Sequence, residues 1–296
     1  MLGWILYFKE AAIKNKNYIE LYIKEGYKLG IEVKLILVEE LDFGVSKGEL
    51  FLSYKGKCTK LPDFAICRAI YPLLSKHLEK IGVRVFNNSD IASICNDKAR
   101  TYQYLADLGI PMVDSEFCLN SLVEDRINNL RWPLVVKTVE GHGGNQVYLL
   151  KDEIDEQGNN DLAMKEAMIK EMLQGIGKSD VVIQPLVGSR YQDLRVYVIG
   201  DELIASVLRK AKSGFKSNYS LGGEVCLYEL SNMQRDLVKH IISQFNIDFV
   251  GIDFIVTDQG DLLFNEIEDV VGSRMLYHCS DINIVELYMR YIKEQV

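Results

Sequence analysis

Two apolar strands and a polar turn follow one another near the C-terminus: Val250-Gly-Ile-Asp-Phe-Ile-Val256, Thr257-Asp-Gln-Gly-Asp261 and Leu262-Leu-Phe-Asn-Glu-Ile-Glu268. This order predicts a β-hairpin with a two-residue turn at Gln259-Gly260. Counting outward from that turn gives these pairs: Asp258 with Asp261, Val256 with Leu263, Phe254 with Asn265, and Asp253 with Glu266. Because side chains alternate along a strand, Glu268 shares a face with Glu266. The sequence therefore predicts three carboxylates on one face of the hairpin.

Carboxylates that face each other across a hairpin lie about 5 Å apart at Cβ and repel each other unless a cation separates them. Asp253, Glu266 and Glu268 stand among Ile, Phe and Leu side chains, which indicates a site for a divalent cation. Oxygen-only ligands favour a hard ion, so we expect Mg²⁺ or Mn²⁺. The alternative is an exposed acidic face, which a register shift of one residue would produce.

The composition is that of a globular protein long enough for two or three subdomains, with 296 residues, 48% apolar and 26% charged. The net charge is −8 and no long basic run occurs, so duplex nucleic acid is not an expected partner. The six cysteines are scattered without a CxxC pair, which is typical of reduced thiols in a cytoplasmic protein. Neither a signal peptide nor a long apolar stretch occurs, so no membrane span is expected.

The first third of the chain predicts an α/β region. Trp4 to Phe8 and Ile31 to Val38 are strands around a helix that Gly30 ends, and this βαβ unit implies parallel neighbouring strands. Further elements are expected in this order: a hairpin at Lys55-Gly56, a strand at 64–67, a helix at 73–81, a strand at 83–86, helices capped by Ser89-Asp90 and by Asn96-Asp97, the second of which ends at Gly109, strands at 132–138 and 147–150, a helix before Gly177, a strand at 181–186, a hairpin at 193–210, a helix at 233–245, the carboxylate hairpin, and a helix at 281–293.

A glycine-rich loop, Glu140-Gly-His-Gly-Gly-Asn145, lies between two of the predicted strands. It matches neither a P-loop nor a dinucleotide fingerprint, but the backbone N–H groups of such a loop can bind phosphates. Lys137 precedes the loop, where its charge can meet a phosphate; the alternative is a lysine that extends from the strand end into solvent. His142 within the loop either contacts a substrate or is solvated.

Arg195 and Arg209 stand at the open end of the hairpin predicted at 193–210. Strict alternation puts them on different faces unless a bulge intervenes. Guanidinium groups suit phosphate or carboxylate binding, and Lys216 and Asn218 follow in a glycine-containing loop whose composition suits a cover over a site. The alternative for each of these side chains is a solvated surface position.

In chain order, these pieces resemble the ATP-grasp superfamily, and within it the RimK-like branch of ribosomal-protein glutamate ligases and lysine-biosynthesis carrier-protein ligases. The resemblance covers nearly the whole chain. It rests on these stretches: Asp63-Phe-Ala-Ile-Cys-Arg68, Phe86-Asn-Asn-Ser89, Asn96-Asp-Lys98, Trp132-Pro-Leu-Val-Val-Lys137, Gly141-His-Gly-Gly144, Gln184-Pro185, Asp193-Leu-Arg-Val-Tyr197, Arg209, Lys216-Ser-Asn218, Gly222-Gly223, Val250-Gly-Ile-Asp253 and Asn265-Glu-Ile-Glu268.

The resemblance implies an ATP-grasp fold with an α/β N-terminal domain at 1–88, a central lid domain at 89–185 and a C-terminal domain at 186–296, the last two of α+β type. ATP would lie between the lid and C-terminal domains. The residues implied for ATP are Lys98, Lys137, Gly141, His142, Gly143, Gly144, Gln184, Pro185, Leu186 and Val187. The residues implied for Mg²⁺ or Mn²⁺ are Asp253, Glu266 and Glu268, and those implied for catalysis are Arg195, Arg209 and Asn218.

The implied activity is that of an ATP-dependent carboxylate–amine ligase, which forms an amide through an acyl phosphate and releases ADP and phosphate. The substrates would be a small carboxylate and an amine, the latter an amino acid, a peptide or a carrier protein. Family members are commonly dimers or tetramers, so the resemblance also implies a homo-oligomer. The alternatives are an ATP-grasp kinase of a hydroxyl substrate and a non-catalytic nucleotide-binding protein. Under the ligase hypothesis, Asp253→Asn is expected to cost catalysis far more than folding.

The chain departs from the family pattern just after the carboxylate hairpin. The family commonly has Glu-Val-Asn followed by a Pro-Gly turn, whereas here Glu268 takes the place of the asparagine and Asp269-Val-Val-Gly-Ser-Arg274 that of the turn. Glu268 still offers oxygens to a metal ion. The loop at Arg274, however, means that the acceptor site does not transfer from the family.

Overall fold

The computed structural model describes residues 1–144, 146–152, 161–211 and 224–296. The strands are Leu2–Tyr7 (β1), Glu32–Leu37 (β2), Leu41–Ser46 (β3), Glu49–Tyr54 (β4), Lys57–Cys58 (β5), Phe64–Cys67 (β6), Arg84–Phe86 (β7), Glu116–Cys118 (β8), Leu134–Thr138 (β9), Val147–Leu150 (β10), Val181–Pro185 (β11), Gln192–Ile199 (β12), Glu202–Lys210 (β13), Glu224–Leu227 (β14), Phe249–Val256 (β15) and Leu262–Glu268 (β16). The helices are Lys9–Lys14 (α1), Lys16–Lys28 (α2), Pro72–Lys80 (α3), Ser89–Cys95 (α4), Lys98–Leu105 (α5), Val123–Asn129 (α6), Leu162–Ile176 (α7), Asn232–Ile242 (α8), Arg274–Cys279 (α9) and Ile284–Gln295 (α10).

A four-stranded parallel sheet in the order β2-β1-β6-β7 forms the N-terminal region. Its β1–α2–β2 unit confirms the predicted crossover, and Gly30, with φ of 76°, follows α2 where most side chains would be strained. A separate antiparallel sheet, β3-β4-β5, contains the predicted hairpin at Lys55-Gly56. The sequence does not predict β3, because Leu41-Asp-Phe-Gly-Val-Ser46 includes aspartate and glycine, two residues that are depleted in strands.

An antiparallel sheet in the order β10-β9-β11-β8 forms the middle of the chain. Three of its strands, β9, β10 and β11, were predicted. The helices α6 and α7 cover this sheet, because Val123, Ile127 and Met172 pack with the buried strand residues Val136 and Ile183. The other face of the sheet carries Lys137 and Gln184, which form hydrogen bonds with Asn265 of β16 and Tyr102 of α5.

A five-stranded antiparallel sheet in the order β14-β13-β12-β15-β16 forms the C-terminal region, and both of its faces are buried. One face packs against α4, α5 and α8 through a core that includes Val196, Val250 and Val238. The other face packs against α2 and α10 through a core that includes Tyr197 and Tyr288. Because side chains alternate, neighbouring residues of β12 and β15 serve these two cores in turn.

The helices α4 and α5, at residues 89–105, pack on the C-terminal sheet, and α5 also contacts β11 of the middle sheet, where Gln184 Nε2 donates to Tyr102 OH. The domain limits of 1–88, 89–185 and 186–296 therefore stay a prediction, while the mixed α/β architecture confirms the predicted fold class. Two predicted helix ends are wrong. Asn88, not Ser89 or Asp90, caps α4, because its side chain accepts hydrogen bonds from the backbone at 90 and 91. Helix α5 ends at Leu105, four residues before Gly109.

No helix in the described ranges is both long enough and apolar enough to cross a membrane.

Candidate active site

The hairpin of β15 and β16 closes through a three-residue turn, so the predicted two-residue turn is wrong. Thr257 donates its backbone N–H to Asp261 O at 2.9 Å, and Gly260 has a φ of 90°, which glycine adopts without strain. The pairs nearest the turn are consequently each one residue away from the prediction: Val256 with Leu262, Ile255 with Leu263 and Phe254 with Phe264.

A β-bulge at Asn265 cancels this offset. The pairing shifts between Asp253 and Phe254, so that Asp253 still lies opposite Glu266 as predicted. The longer turn shifts the register by one residue from the prediction, and the extra residue in β16 shifts it back by one. The bulge also brings Asn265 to β9, where its Oδ1 accepts a hydrogen bond from Lys137 Nζ at 2.7 Å.

A second bulge places Arg195 and Arg209 on the same face of the hairpin of β12 and β13. The pairing of the two strands skips Ile204 next to Tyr197. Arg209 then lies opposite Asp193, which is two residues from Arg195 and so shares its face. The sequence predicted that the two arginines share a face only if a bulge intervenes, and the structure contains that bulge.

Asp253 is the centre of a buried ion network. Arg195 donates Nε to Asp253 Oδ1 and Nη2 to Oδ2, both at 2.7 Å, and Arg209 donates Nη2 to Oδ2, also at 2.7 Å. Arg195 also donates Nη1 to Glu268 Oε2 at 2.5 Å, and Arg209 donates Nε to Asp193. Asp253 is 1% exposed, so two guanidinium groups neutralise a carboxylate that has almost no contact with water.

Burial and ion pairing move the pKa values of the three carboxyl groups in different directions. Burial alone would raise the pKa of Asp253, but Arg195 and the second arginine outweigh it and lower the pKa to about 2. Burial of Glu266 is opposed by Lys98, and the pKa of Glu266 is lowered. Burial of Glu268 prevails over Arg195, so the pKa of Glu268 is raised. A cation beside Glu268 would favour its charged form.

Two buried lysines face these carboxylates. Lys98 begins α5, whose N-terminus Asp97 caps, and its Nζ donates to Gly141 O at 2.5 Å and lies 3.2 Å from Glu266 Oε2. Lys137 lies at the end of β9 and is 8% exposed, so it does not extend into solvent. Burial and the nearby Lys98 charge lower the pKa of Lys137 to about 8, although Glu266 acts to raise it.

The glycine loop lies between β9 and β10 and packs closely against β9. A Cβ on Gly141 would lie 2.3 Å from Thr138 Oγ1, so a side chain does not fit there. Gly143 and Gly144 have φ values of 65° and 75°, in the region that favours glycine. These three glycines line the cleft described below, whereas His142 is exposed and does not line it.

The segment at 184–187, which the resemblance implies for ATP binding, forms one wall of the cleft described below. The amide of Gln184 is already engaged, because Nε2 donates to Tyr102 OH at 2.9 Å and to Ser115 Oγ at 2.8 Å. Leu186 N donates to Pro133 O at 3.3 Å, which ties the wall to the strand of the glycine loop. A ligand at this wall would therefore meet the backbone and the apolar side chains of 185–187.

A cleft of about 900 Å³, counting the space open to solvent, joins these parts between the middle and C-terminal sheets. The predicted site residues that line it are Lys98, Lys137, Gly141, Gly143, Gly144, Gln184, Pro185, Leu186, Val187, Arg209, Asp253 and Glu266. Arg195 is connected to it through Asp253, and Glu268 through Arg195. The predicted catalytic Asn218, together with Lys216 and the glycines of that loop, lies outside the described residues.

Asp193 and Asn265 also line the cleft, although neither was predicted as a site residue. The signal for Asp193 was available, because it lies two residues from Arg195 and strand residues at that spacing share a face. Asn265 reaches the cleft only through the bulge, which no feature of the sequence announces. Tyr191 also lines the cleft and has a φ of 48°, which is uncommon for a residue with a side chain.

The donor chemistry of this cleft fits a hard divalent cation, because Asp253, Glu266 and Glu268 lie on adjacent strands with the Asn265 carbonyl beside them. Among the described residues, however, no three His, Cys, Asp or Glu side chains are grouped closely enough to hold a metal ion together. Arg195 binds both Asp253 and Glu268, and it occupies the space between these two carboxylates. The metal roles of these residues stay a prediction.

Comparison with protein families identifies the family of this chain. The model of the RimK-like ATP-grasp domain matches residues 95–292. The chain belongs to the RimK-like ATP-grasp family. This match includes both lysines, the glycine loop, both arginines and the carboxylate hairpin, so the cleft lies within the family domain.

Curated relatives of this RimK-like ATP-grasp chain are found in bacteria, archaea and animals. The uncharacterized protein MG011 of Mycoplasma genitalium is 26% identical over 96% of this chain and 89% of its own length. The human N-acetylaspartylglutamate synthase A is 28% identical over 82% of this chain but only 63% of its own length. The glutamate–LysW ligase ArgX of Sulfurisphaera tokodaii is 28% identical over 77% of this chain and 78% of its own.

Solved structures share the fold over almost the whole chain. A RimK-domain ATP-grasp protein from Sphaerobacter thermophilus aligns with a TM-score of 0.71 at 16% identity, covering 98% of this chain and 99% of that chain. The ATP-grasp ligase PsnB, solved with a precursor variant, Mg and ADP, aligns with a TM-score of 0.68 at 15% identity, covering 99% of this chain and 98% of that chain. At these identities the likeness shows the fold alone.

These comparisons confirm the predicted RimK-like ATP-grasp membership and fold. Relatives named as ligases and synthases confirm the predicted enzyme class, ATP-dependent carboxylate–amine ligation, over the alternatives of a hydroxyl kinase and a non-catalytic protein. ATP and a divalent metal ion belong to the family as a whole. The identity of the metal, the roles of individual residues and the substrates belong to the proposal that follows.

Proposed function

We propose that this ligase uses the cleft between the middle and C-terminal sheets to bind ATP with Mg²⁺ and to join a carboxylate to the amine of an acidic amino acid or peptide. The observation that carries the proposal is the set of charges in that cleft. Lys98, Lys137 and Arg209 line it together with Asp253 and Glu266, and all five are largely withdrawn from water. Matched charges at low exposure suit a highly charged substrate that arrives with its own cation.

The lysines and the glycine loop are the proposed phosphate contacts. Lys98 holds the carbonyl of Gly141 and so fixes the loop at its start. Gly143 and Gly144 then adopt left-handed backbone conformations, and glycine-rich loops with such conformations can bind phosphate oxygens through backbone N–H groups. Lys137 is as buried as Lys98, lies near the end of β9, and supplies a point charge. The adenine ring would lie against the wall at 185–187, largely through backbone contacts.

The carboxylates are the proposed metal ligands. Asp253, Glu266 and Glu268 would hold Mg²⁺, or Mn²⁺ in its place, which when bound neutralises phosphate charge. Arg195 and Arg209 already lie on Asp253, and their guanidinium groups are in place to bind a substrate carboxylate or the phosphate that is transferred. Asn218, which the sequence analysis assigned to catalysis, remains part of the proposal on the resemblance alone.

The proposed reaction has two steps. An oxygen of the substrate carboxylate attacks the terminal phosphorus of ATP, the bond from that phosphorus to ADP breaks, and an acyl phosphate forms. The amine nitrogen then attacks the acyl carbon, the bond to phosphate breaks, and the nitrogen releases a proton to solvent. Arg209 and Lys137 stabilise negative charge during both steps because they are held in place before the substrate binds.

The names of the relatives support an acidic amine. Glutamate forms part of the product named for the human synthase and is the substrate named for the archaeal ligase, in which it is joined to the protein LysW. Two ATP-grasp ligases of this fold, PsnB among them, were solved with a precursor peptide or with a leader and core peptide. We therefore include free amino acids, peptides and a carrier protein among the amine substrates. A homo-oligomer, dimer or tetramer, and a cytoplasmic location complete the proposal.

Trapping the acyl phosphate tests the proposal. The full chain is incubated with ATP, Mg²⁺ and a panel of carboxylic acids in hydroxylamine, which converts acyl phosphates to coloured hydroxamates. We expect hydroxamate and ADP in equal amounts with at least one acid, and amide in place of hydroxamate when an amino acid replaces hydroxylamine. A kinase would release ADP with an alcohol alone and give no hydroxamate, and that outcome would overturn the proposal.

A further inference from the structure

A second pocket lies between the N-terminal region and α9, away from the glycine loop. It measures about 1300 Å³, counting the space open to solvent, and four cationic side chains, Lys14, Lys16, Arg68 and Arg274, are part of its lining. None of the described residues that line it is Asp or Glu. In a chain of net charge −8, such a one-sided lining is a local excess of positive charge that attracts anions.

Arg68 is held rigidly at this pocket. Its Nη2 donates to Val271 O at 2.9 Å, its Nε lies 3.4 Å from Tyr7 OH, and its guanidinium carbon lies 5.4 Å from the centre of the Tyr18 ring. Within the described part of the chain, no carboxylate forms an ion pair with Arg68 and nothing accepts a hydrogen bond from its Nη1. A fixed guanidinium group with an unused donor edge is prepared to bind a planar anion such as a carboxylate.

The pocket adjoins the reaction centre. Val271 follows Glu268 by three residues, which limits their separation to about 10 Å. A Cβ on Gly251 would lie 2.6 Å from Val271 Cγ2 and 3.2 Å from Arg195 Cδ, so Val271 and Arg195 pack over the same glycine. Tyr197, which is two residues from Arg195, donates its hydroxyl to Gly272 O at 2.9 Å. The loop at 271–272 therefore lies between a molecule bound at Arg68 and the carboxylate network, and the amine of such a molecule must reach past this loop to react.

The loop that forms one wall is tied to the N-terminal region. The hydroxyl groups of Tyr18 and Ser273 are 2.6 Å apart and share a hydrogen bond, which fixes Ser273 and the start of α9. Arg274 is the next residue, and it is exposed at the pocket. Among the described residues it has no ion-pair partner, so its side chain is available to a ligand from solvent. The departure from the family pattern at this loop thus adds a cation to the pocket.

We propose that this pocket binds a carboxylate of the amine substrate, with Arg68 as the fixed contact and Arg274 as the mobile one. The substrate would be an acidic amino acid or the acidic end of a peptide, whose amine then lies toward Arg195 and Glu268. This inference rests on the proposed function for its chemistry. The position of the binding site is inferred from the positive charge of the pocket and from the unpaired donors of its two arginines.

The first arm of the test measures turnover. ADP release by the full chain with ATP and Mg²⁺ is followed with L-glutamate, with L-glutamine, which lacks the side-chain charge, and with the dipeptide glutamyl-glutamate. We expect the wild-type KM to be at least tenfold lower for an acidic amine than for glutamine. The dipeptide separates a free amino acid from a peptide end. Arg274→Ala and Arg68→Lys should each raise the KM for the acidic amine at least tenfold and leave the KM for ATP within twofold.

The control is Arg290→Ala, which removes an exposed arginine that pairs with Glu286 on α10. If Arg274→Ala and Arg68→Lys behave like this control, the inference is wrong. Arg274 is exposed, so its replacement should leave the fold intact, and thermal unfolding of each variant checks this directly.

The second arm measures binding without turnover, by ligand-observed NMR of L-glutamate with the ATP-free protein. Binding that Arg274→Ala removes supports the pocket even if no amine supports ADP release, in which case only the proposed function fails. An absence of glutamate binding overturns the inference, and turnover of a neutral amine would leave the ligase activity standing but not the acidic amine. Inorganic phosphate is the comparison anion. Equal displacement of glutamate by phosphate at low concentration would mean a general anion site and would overturn the carboxylate assignment.

Discussion

Arg195 and Asp253 form a bidentate ion pair in which both hydrogen bonds, Nε to Oδ1 and Nη2 to Oδ2, measure 2.7 Å. The two residues lie directly opposite each other on β12 and β15. Arg209 approaches the same carboxylate from β13, so Asp253 pairs with two guanidinium groups, on residues that are 6% and 3% exposed. Asp253 is consequently a structural counter-ion as well as a candidate metal ligand, and this alters what its replacement should do.

Asp253→Asn should destabilise the protein as well as inactivate it. The substitution leaves two buried guanidinium groups without their shared negative charge, and breaking a buried ion pair typically costs about 3 to 5 kcal/mol. The expectation from sequence, that catalysis suffers far more than folding, is therefore revised. Urea unfolding and ADP release check both effects, and Asp261→Asn, in the exposed turn of the same hairpin, is the matched control. Unchanged stability would contradict the structural role.

ATP affinity should fall with rising pH because of Lys137. Burial lowers the pKa of Lys137 to about 8 in the ligand-free protein, so the side chain loses its charge just above neutral pH. If ATP binds the charged form, its dissociation constant should rise by up to about tenfold per pH unit above that pKa. Lys137→Arg keeps the charge and should flatten the profile, whereas Lys178→Arg, at an exposed position, should not. Calorimetric titration of a non-hydrolysable ATP analogue measures each profile; parallel profiles in all three proteins would exclude Lys137 as the cause.

Asp269→Asn should loosen the connection between the carboxylate hairpin and α5. Asp269 accepts hydrogen bonds from Asn87 Nδ2 at 2.6 Å and from Asn96 Nδ2 at 3.0 Å, and it directly follows Glu268. The amide NH₂ of an asparagine at this position would face the NH₂ group of Asn87 or Asn96, which should lower the free energy of unfolding by about 1 to 3 kcal/mol. Because Asn96 lies two residues before Lys98, the KM for ATP should also rise. Asp281→Asn, at an exposed position, serves as control, and an unaltered unfolding midpoint for Asp269→Asn would count against this network.

Asp248 should make stability depend on pH. Burial raises the pKa of this carboxyl from 3.8 to about 6, although Arg84 Nη2 at 2.6 Å opposes the shift. The folded state therefore holds the proton more tightly than the unfolded chain does. The stabilisation is fully present below pH 3.8 and is lost as the pH rises through about 6, which amounts to about 3 kcal/mol. Asp248→Asn should remove this dependence, as measured by urea unfolding from pH 4 to 8, while Asp201→Asn, an exposed neighbour in the fold, should retain it.

The sequence predicted most elements whose apolar pattern repeats clearly, and it missed short or irregular ones. The βαβ unit of β1, α2 and β2 follows from helical spacing between two apolar strands, a purely local signal. The strands β3, β8 and β14 are short or carry polar and glycine residues, and they form because a neighbouring strand offers hydrogen bonds. Such pairing is a property of the sheet and not of the segment.

In the candidate site, too, some features follow from local sequence and others depend on how the strands pair. Asp253 was predicted opposite Glu266, and it is, although the turn and the register beside it were wrong. The pair is correct because a bulge at Asn265 compensates for a longer turn. His142 was grouped with the glycines that surround it; it is exposed and does not line the cleft, and its role in ATP binding stays a prediction.

The sequence by itself determined the family, the order of the elements and the residue types that carry charge into the cleft, because motifs and apolar periodicity are local properties of a chain. Only the tertiary structure decided which charges meet. The bulge in β13 brings Arg209 to the face of Arg195, and the bulge in β16 brings Asn265 to Lys137. Both bulges arise from how whole strands fit against their neighbours, and the pocket at Arg68 arises from three segments far apart in sequence. Contacts of that kind depend on packing in three dimensions, which local pattern does not encode.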